Sequence, residues 1–537
     1  MTTLGRERAR GDVLEDARPF DLLITGGHVL DGAGQPGQVT DIGIRDGRIV
    51  ALGVLKGKPA RECIEAEGLI VAPGFIDIHA HSDVSLLLNP VDEPRLWQGV
   101  TTVVFSNCGL GFAPATERSL AMLKRTYAGV FGYWESPWRG GSVRQYLDLF
   151  ADRTAVNVAY LIPHAAVRAM VLGLEGRAAT EREVAQMVDL VHQAMEDGAF
   201  GLSVGLAYAP MRWATRDELC ALLRAVREGG GFFAIHLRDY FGGLFDALAE
   251  ALALAEEADV PVQISHLQAA GRKNWGKAEA LLEMLDRARE RGVDVTVDSY
   301  PYMAGSTFLH ALLPEWAQAG DAEAILARLR DPTMRRRVVA ELNVASRDWG
   351  SVIISGLSSV KNQSLVGRSL QEIAEAGTVS IGEALVRLLL EEDLHVSIVS
   401  HHGDEADVCR ILQYPFHMIG SDGIEVGQRP HPRLYGAFAR FLGHYVRERA
   451  LLPLEEAIRK ITVLPASRLR LSDRGVVEVG KVADLVLFDP LTIGDRADYA
   501  HPRRFAQGGE YVLVRGRVVK DRSGITGACP GEVLRPR

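Results

Sequence analysis

Two patterns of apolar and polar positions divide the chain. At both ends, short apolar runs alternate with polar residues and stop at turn residues. Leu22, Leu23 and Ile24 end at Gly26-Gly27, Ile42 and Ile44 lead into Asp46-Gly47, and Ile49, Val50 and Leu52 follow. An Asp-Gly pair between such runs is a hairpin signature. The same texture returns over 482–488, closed by Asp489-Pro490, and over 511–514, which turns at Arg515-Gly516 into Val518-Val519. The two ends are therefore expected to build one small β-sandwich domain from 19–72 and 472–537, behind a flexible tail over 1–18.

Between them, apolar strand-like runs alternate with helix-period stretches. Strands are expected at 71–79, 100–106, 157–162, 199–205, 232–237, 261–266, 294–300, 395–400 and 417–421. One helix should begin at Thr180, with Glu183 three residues on as a capping box, and another at Thr215, with Glu218. Strands alternating with helices predict βαβ units and a parallel sheet. A TIM-like (β/α)₈ barrel over 73–471 needs eight strands, so one of the nine is surplus, and 395–400 is the first candidate. Residues 303–360 break the rhythm with helix-like stretches and no clear strand. They are expected to form an insertion on the barrel, near enough to a strand end to act as a lid.

Composition narrows the class. With 47% hydrophobic and 24% charged residues, the 537-residue chain is of soluble globular type. A net charge of −9 supplies no basic surplus for a nucleic-acid partner. Cys63, Cys108, Cys220, Cys409 and Cys529 are scattered and odd in number, without a CxxC pair, which fits a reducing compartment. No apolar stretch approaches a membrane span, and residues 1–17 carry no apolar signal core. The expectation is a cytoplasmic enzyme with a small-molecule substrate and no membrane partner. The oligomeric state stays open.

The chemistry gathers at strand ends. In VAPGFIDIHAHSD (71–83), His79 and His81 share a strand face about 7 Å apart, with Asp77 in phase. Cys108 follows the second strand, His236 ends AIHLRD, His266 ends ISHLQAAG, and Asp422 follows MIGSD. Any one of these has a bland reading: a satisfied core histidine, or a small buried cysteine. Together they converge on the barrel face where catalysis sits. Imidazoles and a thiolate suit zinc.

The sequence resembles the amidohydrolase superfamily from this HAH to GKVADLVLFDP near the end. Within it, the chain is similar to the N-acyl-D-amino-acid deacylases, or D-aminoacylases. The matching stretches are GVTTVVFSNCGLGFAP, FGLSVGLAYAP, ISH…GRKNWG, DSYPYMAGST, MIGSDG, HPRLYGAFARFLGHYVRE and ITVLPASRLRL. The resemblance implies zinc-dependent hydrolysis of the amide bond of N-acyl-D-amino acids. It implies a tight zinc on Cys108, His236 and His266, and a weak or partly filled second site on His79, His81 and Cys108. Asp422 would be the general base and then the acid. Arg433, in HPRLYG, would take the substrate carboxylate, and Tyr208 and Tyr302 would be hydroxyl donors.

One position departs from the family. Its members commonly carry a lysine two residues after the histidine matching His266, where this chain has Gln268. The lost charge argues against an acidic D-residue and leans toward a neutral or hydrophobic one. The cluster Tyr133, Trp134 and Trp138 either lines an apolar pocket for that side chain or packs under a loop. Two other readings compete. One is a related amidohydrolase acting on a cyclic amide, a D-residue-containing dipeptide or another N-acyl compound. The other is a barrel kept as a binding protein, which would be expected to have lost these ligands or Asp422.

Overall fold

The computed structural model describes residues 18–135 and 138–536. All of the tail expected over 1–18 except Arg18 lies outside the described residues. Eight parallel strands form the centre: Phe75–Asp77, Val100–Phe105, Asn157–Tyr160, Gly201–Gly205, Phe232–His236, Val262–Ile264, Val295–Ser299 and His417–Ile419. All eight are buried along their whole length, which is why they read as apolar runs rather than alternating ones. The third and fourth are joined by Phe200 N donating to Tyr160 O at 2.9 Å. The last meets the first through a parallel bridge between Ala80 and Gly423, and Asp422 N donates to His79 O at 2.8 Å. The barrel is closed. Both expected helices are present as Glu181–Glu196 and Arg216–Glu228, with Thr180 and Thr215 capping them.

The surplus strand is the one over 395–400. Val396–His401 pairs antiparallel with Ala304–Phe308 and Val352–Leu357, outside the barrel. The expectation that 303–360 lacks a strand is therefore corrected, and the three-stranded unit runs on to His401. It has its own core, including Leu309, Leu326, Ile354, Leu385 and Leu389. The strand Ala304–Phe308 escapes the pattern because its middle residues, Gly305 to Thr307, face a cavity instead of the core.

The chain ends meet in one nine-stranded sheet, where Ile70–Pro73 pairs antiparallel with Leu485–Phe488. Its two halves share a core, with Leu22, Ile24 and Ile44 against Leu485, Leu487 and Leu513. The strand expected over 71–79 is split at Gly74 between this sheet and the barrel strand Phe75–Asp77. A Cβ on Gly74 would lie 2.2 Å from Thr101 Oγ1, so only glycine lets the chain pass there. Among the described residues, no helix is long and apolar enough to cross a membrane.

Asp484 ties the sheet to the barrel. Its carboxylate accepts from Asn157 Nδ2 on the third barrel strand (2.8 Å), Arg474 Nε (3.0 Å) and Arg515 N (2.7 Å). Replacing it with alanine leaves Arg515 N without its acceptor and takes one of three carboxylates from the buried Arg474, which keeps Asp473 (3.0 Å) and Glu532, a loss of about 1–3 kcal/mol. Asp484→Ala should lower the thermal unfolding midpoint by several degrees, which calorimetry would read directly.

Candidate active site

The polar residues at the strand ends are aimed by unusual backbone. Cys108, His266 and Asp422 are non-glycine residues in the left-handed region, at φ of 56°, 32° and 47°. Such conformations cost about 1–3 kcal/mol each and persist where surrounding structure over-determines them. Each one turns the chain just after its strand, so the side chain points over the barrel axis.

These turns bring six side chains together. His79, His81, Cys108 and Asp422 offer ligand atoms within 4.8 Å of one another, and so do Cys108, His236 and His266. Cys108 belongs to both groups. Its Sγ lies 3.3 Å from His79 Nε2 and 3.4 Å from His266 Nε2, and His236 Nδ1 is 2.9 Å from His266 Nε2. Asp422 Oδ1 lies 3.0 Å from His81 Nε2 and 3.6 Å from His79 Nε2. All five expected metal ligands and Asp422 are thus adjacent and buried.

The electrostatics favour a cation. Burial pushes the Cys108 thiol up, but the charges of His79 and His266 and hydrogen bonds from His236 and His266 outweigh it and hold it well below its usual range. Burial likewise pushes Asp422 up, and the Arg433 guanidinium, the His81 bond and the His79 and His266 charges bring it well below. Burial lowers His81, yet bonds to Asp422 and Cys108 lift it to about 9. The imidazole nitrogens of His79 and His81 face these two acids. A metal ion fits those same nitrogens, and the thiolate is the form that ligates metal.

A further layer of contacts fixes the rings. Asp298, fully buried, accepts from His79 Nδ1 (3.0 Å), His266 N (2.8 Å) and Gln263 Nε2 (2.6 Å). It leaves the Nε2 of His79 free to face Cys108. Sequence reasoning passed over Asp298, although an acid inside the apolar run VTVDSY was a signal. Asp77, in phase with the histidines by strand spacing, does not join them. The strand ends at Asp77 and the chain bends, so Asp77 accepts from Ser421 N (2.8 Å) and Arg95 Nε (2.7 Å) instead.

The centre opens onto a cavity of about 770 Å³ lined by His81, Cys108, His236, His266 and Asp422. Tyr208 and Gln268 also line it. The Tyr208 hydroxyl is 3.1 Å from Thr307 Oγ1, and Gln268 Oε1 accepts from His402 Nε2 at 2.8 Å. Three further expectations meet different outcomes. Arg433 is fully buried just behind the cavity wall, with its Nη1 2.7 Å from Asp422 and its guanidinium 4.4 Å from the ring of Tyr300, and its Nε and Nη1 make no hydrogen bond. Tyr302 does not reach the cavity, because the turn marked by Tyr302 N donating to Tyr300 O sends the two rings apart. Tyr300 lines the cavity, and Tyr302 packs against His431 and Arg440. None of Tyr133, Trp134 and Trp138 lines the cavity: Trp134 and Trp138 are buried, against Phe112 and Tyr146 respectively, and Tyr133 is exposed.

Comparison with known proteins gives the family. The amidohydrolase family profile matches residues 62–520. A D-aminoacylase of Alcaligenes xylosoxydans xylosoxydans is 38% identical, over 97% of this chain and 98% of its own. An N-acyl-D-glutamate deacylase of the same organism is 36% identical over 96% of each chain. The crystal structure of N-acyl-D-glutamate deacylase from Bordetella bronchiseptica, with zinc and a phosphonate mimic of the tetrahedral intermediate, is 36% identical. It matches with a TM-score of 0.83, over 96% of this chain and 100% of that one. Matched along almost its whole length, the chain is a hydrolase that belongs to the amidohydrolase family.

Proposed function

We propose that this protein hydrolyses the amide bond of N-acyl-D-amino acids with a neutral or hydrophobic side chain, using zinc. The observation that carries the reading is Cys108, shared by two overlapping donor groups at the floor of a cavity that Asp422 also faces. The similar deacylases supply the substrate class and its D configuration. Cys108, His236 and His266 would hold the tight ion, and His79, His81 and Cys108 a weaker one. Zinc, when bound, polarises an amide carbonyl and makes water acidic enough to ionise near neutral pH.

The chain's own groups account for the proton movements. Asp422 takes a proton from the attacking water as its oxygen bonds to the carbonyl carbon. It returns the proton to the amide nitrogen as the C–N bond breaks, leaving a carboxylate and a free amine. His81 and Arg433 keep Asp422 charged and pointed at the cavity. Tyr208 and Gln268 offer the substrate neutral hydrogen-bond donors from the wall. Asp298 holds His79 and the His266 backbone in place.

The first test is amine release by zinc-loaded protein from matched N-acetyl-D- and N-acetyl-L-amino acids. Turnover should be confined to the D series and strongest for uncharged side chains. Release from neither series would sink the reading and turn attention to cyclic amides and D-residue-containing dipeptides. Asp422→Asn should lower kcat by about 10²–10⁴-fold with zinc still bound. Asp298→Ala should weaken zinc binding roughly 10- to 100-fold in a competition with a chelator, since contacts of this kind tune metal affinity to that extent.

A further inference from the structure

The reactive groups sit where the barrel strands end. Where they begin, at the opposite face, lies a second cavity of about 290 Å³. Phe200, Pro261, Asp294 and Phe416 line it and each directly precedes a barrel strand, while Phe232 opens one. The glycine turn over 229–231 and the end of the helix Val463–Arg468 complete it. Strand starts in such a barrel serve stability rather than chemistry. Three guanidiniums do not fit that role. Arg289, Arg468 and Arg470 all line this cavity, and among its described residues Asp294 is the one carboxylate.

Arg468 takes that carboxylate. Its side chain is only 4% exposed, its Nη2 donates to Asp294 Oδ1 at 2.9 Å, and its Nε donates to Thr296 Oγ1 at 3.1 Å. Arg289 lies 3.3 Å over the Phe416 ring and spends one N–H on Val295 O at 2.7 Å. Arg470 is exposed, two residues past the helix, in the left-handed region at φ 55°. Among the described residues, neither Arg289 nor Arg470 has an ion-pair partner. Both still act on their neighbour. Burial pushes Arg468 below the usual guanidinium range, Asp294 opposes that, and the charges of Arg289 and Arg470 add to it. The adjoining groove, which shares Arg470 and Asp294, pairs its other arginines: Arg227 with Asp259 at 3.3 Å and Arg291 with Glu256 at 3.0 Å. The surplus of positive charge therefore sits in this one cavity.

We propose that the cavity at the strand starts binds a phosphate-type oxyanion, free or as a phosphate monoester, through Arg289 and Arg470 with Arg468 as the buried third cation. Guanidinium forks match phosphate oxygens. The rings of Phe200, Phe232 and Phe416 offer an apolar wall to the organic part of an ester. The bound anion ties the strand starts to the helix Val463–Arg468 and stabilises the fold without touching the reacting atoms. The inference is independent of the deacylase reading.

The test titrates zinc-loaded protein calorimetrically with inorganic phosphate and with phenyl phosphate at constant ionic strength. Wild type, Arg289→Gln, Arg470→Gln and Asp294→Asn are compared. Wild type should bind saturably, and its thermal unfolding midpoint should rise with ligand concentration. Each arginine variant should lose roughly 10- to 100-fold in affinity, the worth of a hydrogen bond to a charged group. Arg470 is on the surface, so its variant keeps the fold and its loss reads binding alone. Asp294→Asn removes the competing carboxylate and should tighten binding, a gain that a merely structural role does not produce. Tighter binding of phenyl phosphate identifies the ligand as a monoester, and tighter binding of phosphate as the free anion. Absence of saturable binding to wild type would overturn the proposal. So would equal binding by wild type and both arginine variants, which places the anion elsewhere, as on the zinc.

Discussion

A single buried carboxylate closes the barrel, and the reactive face depends on it. Asp77 ends the first strand with no exposure to solvent and accepts from both the backbone and the hydroxyl of Ser421, just past the last strand. Arg95 neutralises it and is itself buried, with Asp92 as a second partner at 3.1 Å. An ion pair this deep stabilises only when its remaining hydrogen bonds are satisfied. Here they are, and the bonds that satisfy them fix register: Ser421 precedes Asp422, and Asp77 lies two residues before His79. The proton-handling carboxylate and the first histidine are thereby held at one point of closure.

That closure explains why strained backbone is tolerated around it. Left-handed turns at Cys108, His266 and Asp422 would unwind if their strands could slip. Each is pinned by a bond from a neighbouring strand: His266 N donates to Asp298, Asp422 N donates to His79 O, and Gly109 N, beside Cys108, donates to Ser203 Oγ at 3.0 Å. The strain brings the thiol and imidazoles closer than relaxed strand ends would allow. A rigid cylinder supplies the restraint, and the site stores its cost.

Much of this was legible in the sequence, and the failures have physical reasons. Fully buried barrel strands announce themselves as apolar runs, and a histidine, cysteine or aspartate at the end of each stands out against them. Capping pairs such as Thr180 with Glu183 mark helix starts because the local hydrogen bonds are self-contained. What failed was orientation beyond the strand. Tyr300 and Tyr302 have identical chemistry and spacing, and a two-residue turn decides which one faces the cavity. Asp77 shares strand phase with His79, but the chain bends before that phase can matter. Arg433 matched a carboxylate-binding position, and its 2.7 Å approach to Asp422 depends on the chain path after the last strand, which no residue pattern shows. The strand Ala304–Phe308 lacked an apolar pattern because it is built to face polar space.

The distribution of charge in the cavity points to a division of labour. Groups on the barrel are neutralised within the barrel: Asp77 by Arg95, Asp422 by Arg433, Glu250 by Arg238. Charges paired in this way can position reacting atoms without drawing substrate charge toward themselves. The neutral pair of Gln268 and His402 extends that compensation toward the cavity mouth. Beyond that pair stands the strand Ala304–Phe308, whose middle residues face the cavity from an element that packs on the barrel but owns a separate core. Such an element can change its side chains, or its distance from the barrel, without disturbing the closure at Asp77. Substrate choice and bond cleavage can therefore vary independently in this architecture, because cavity-facing side chains rest on two separate cores.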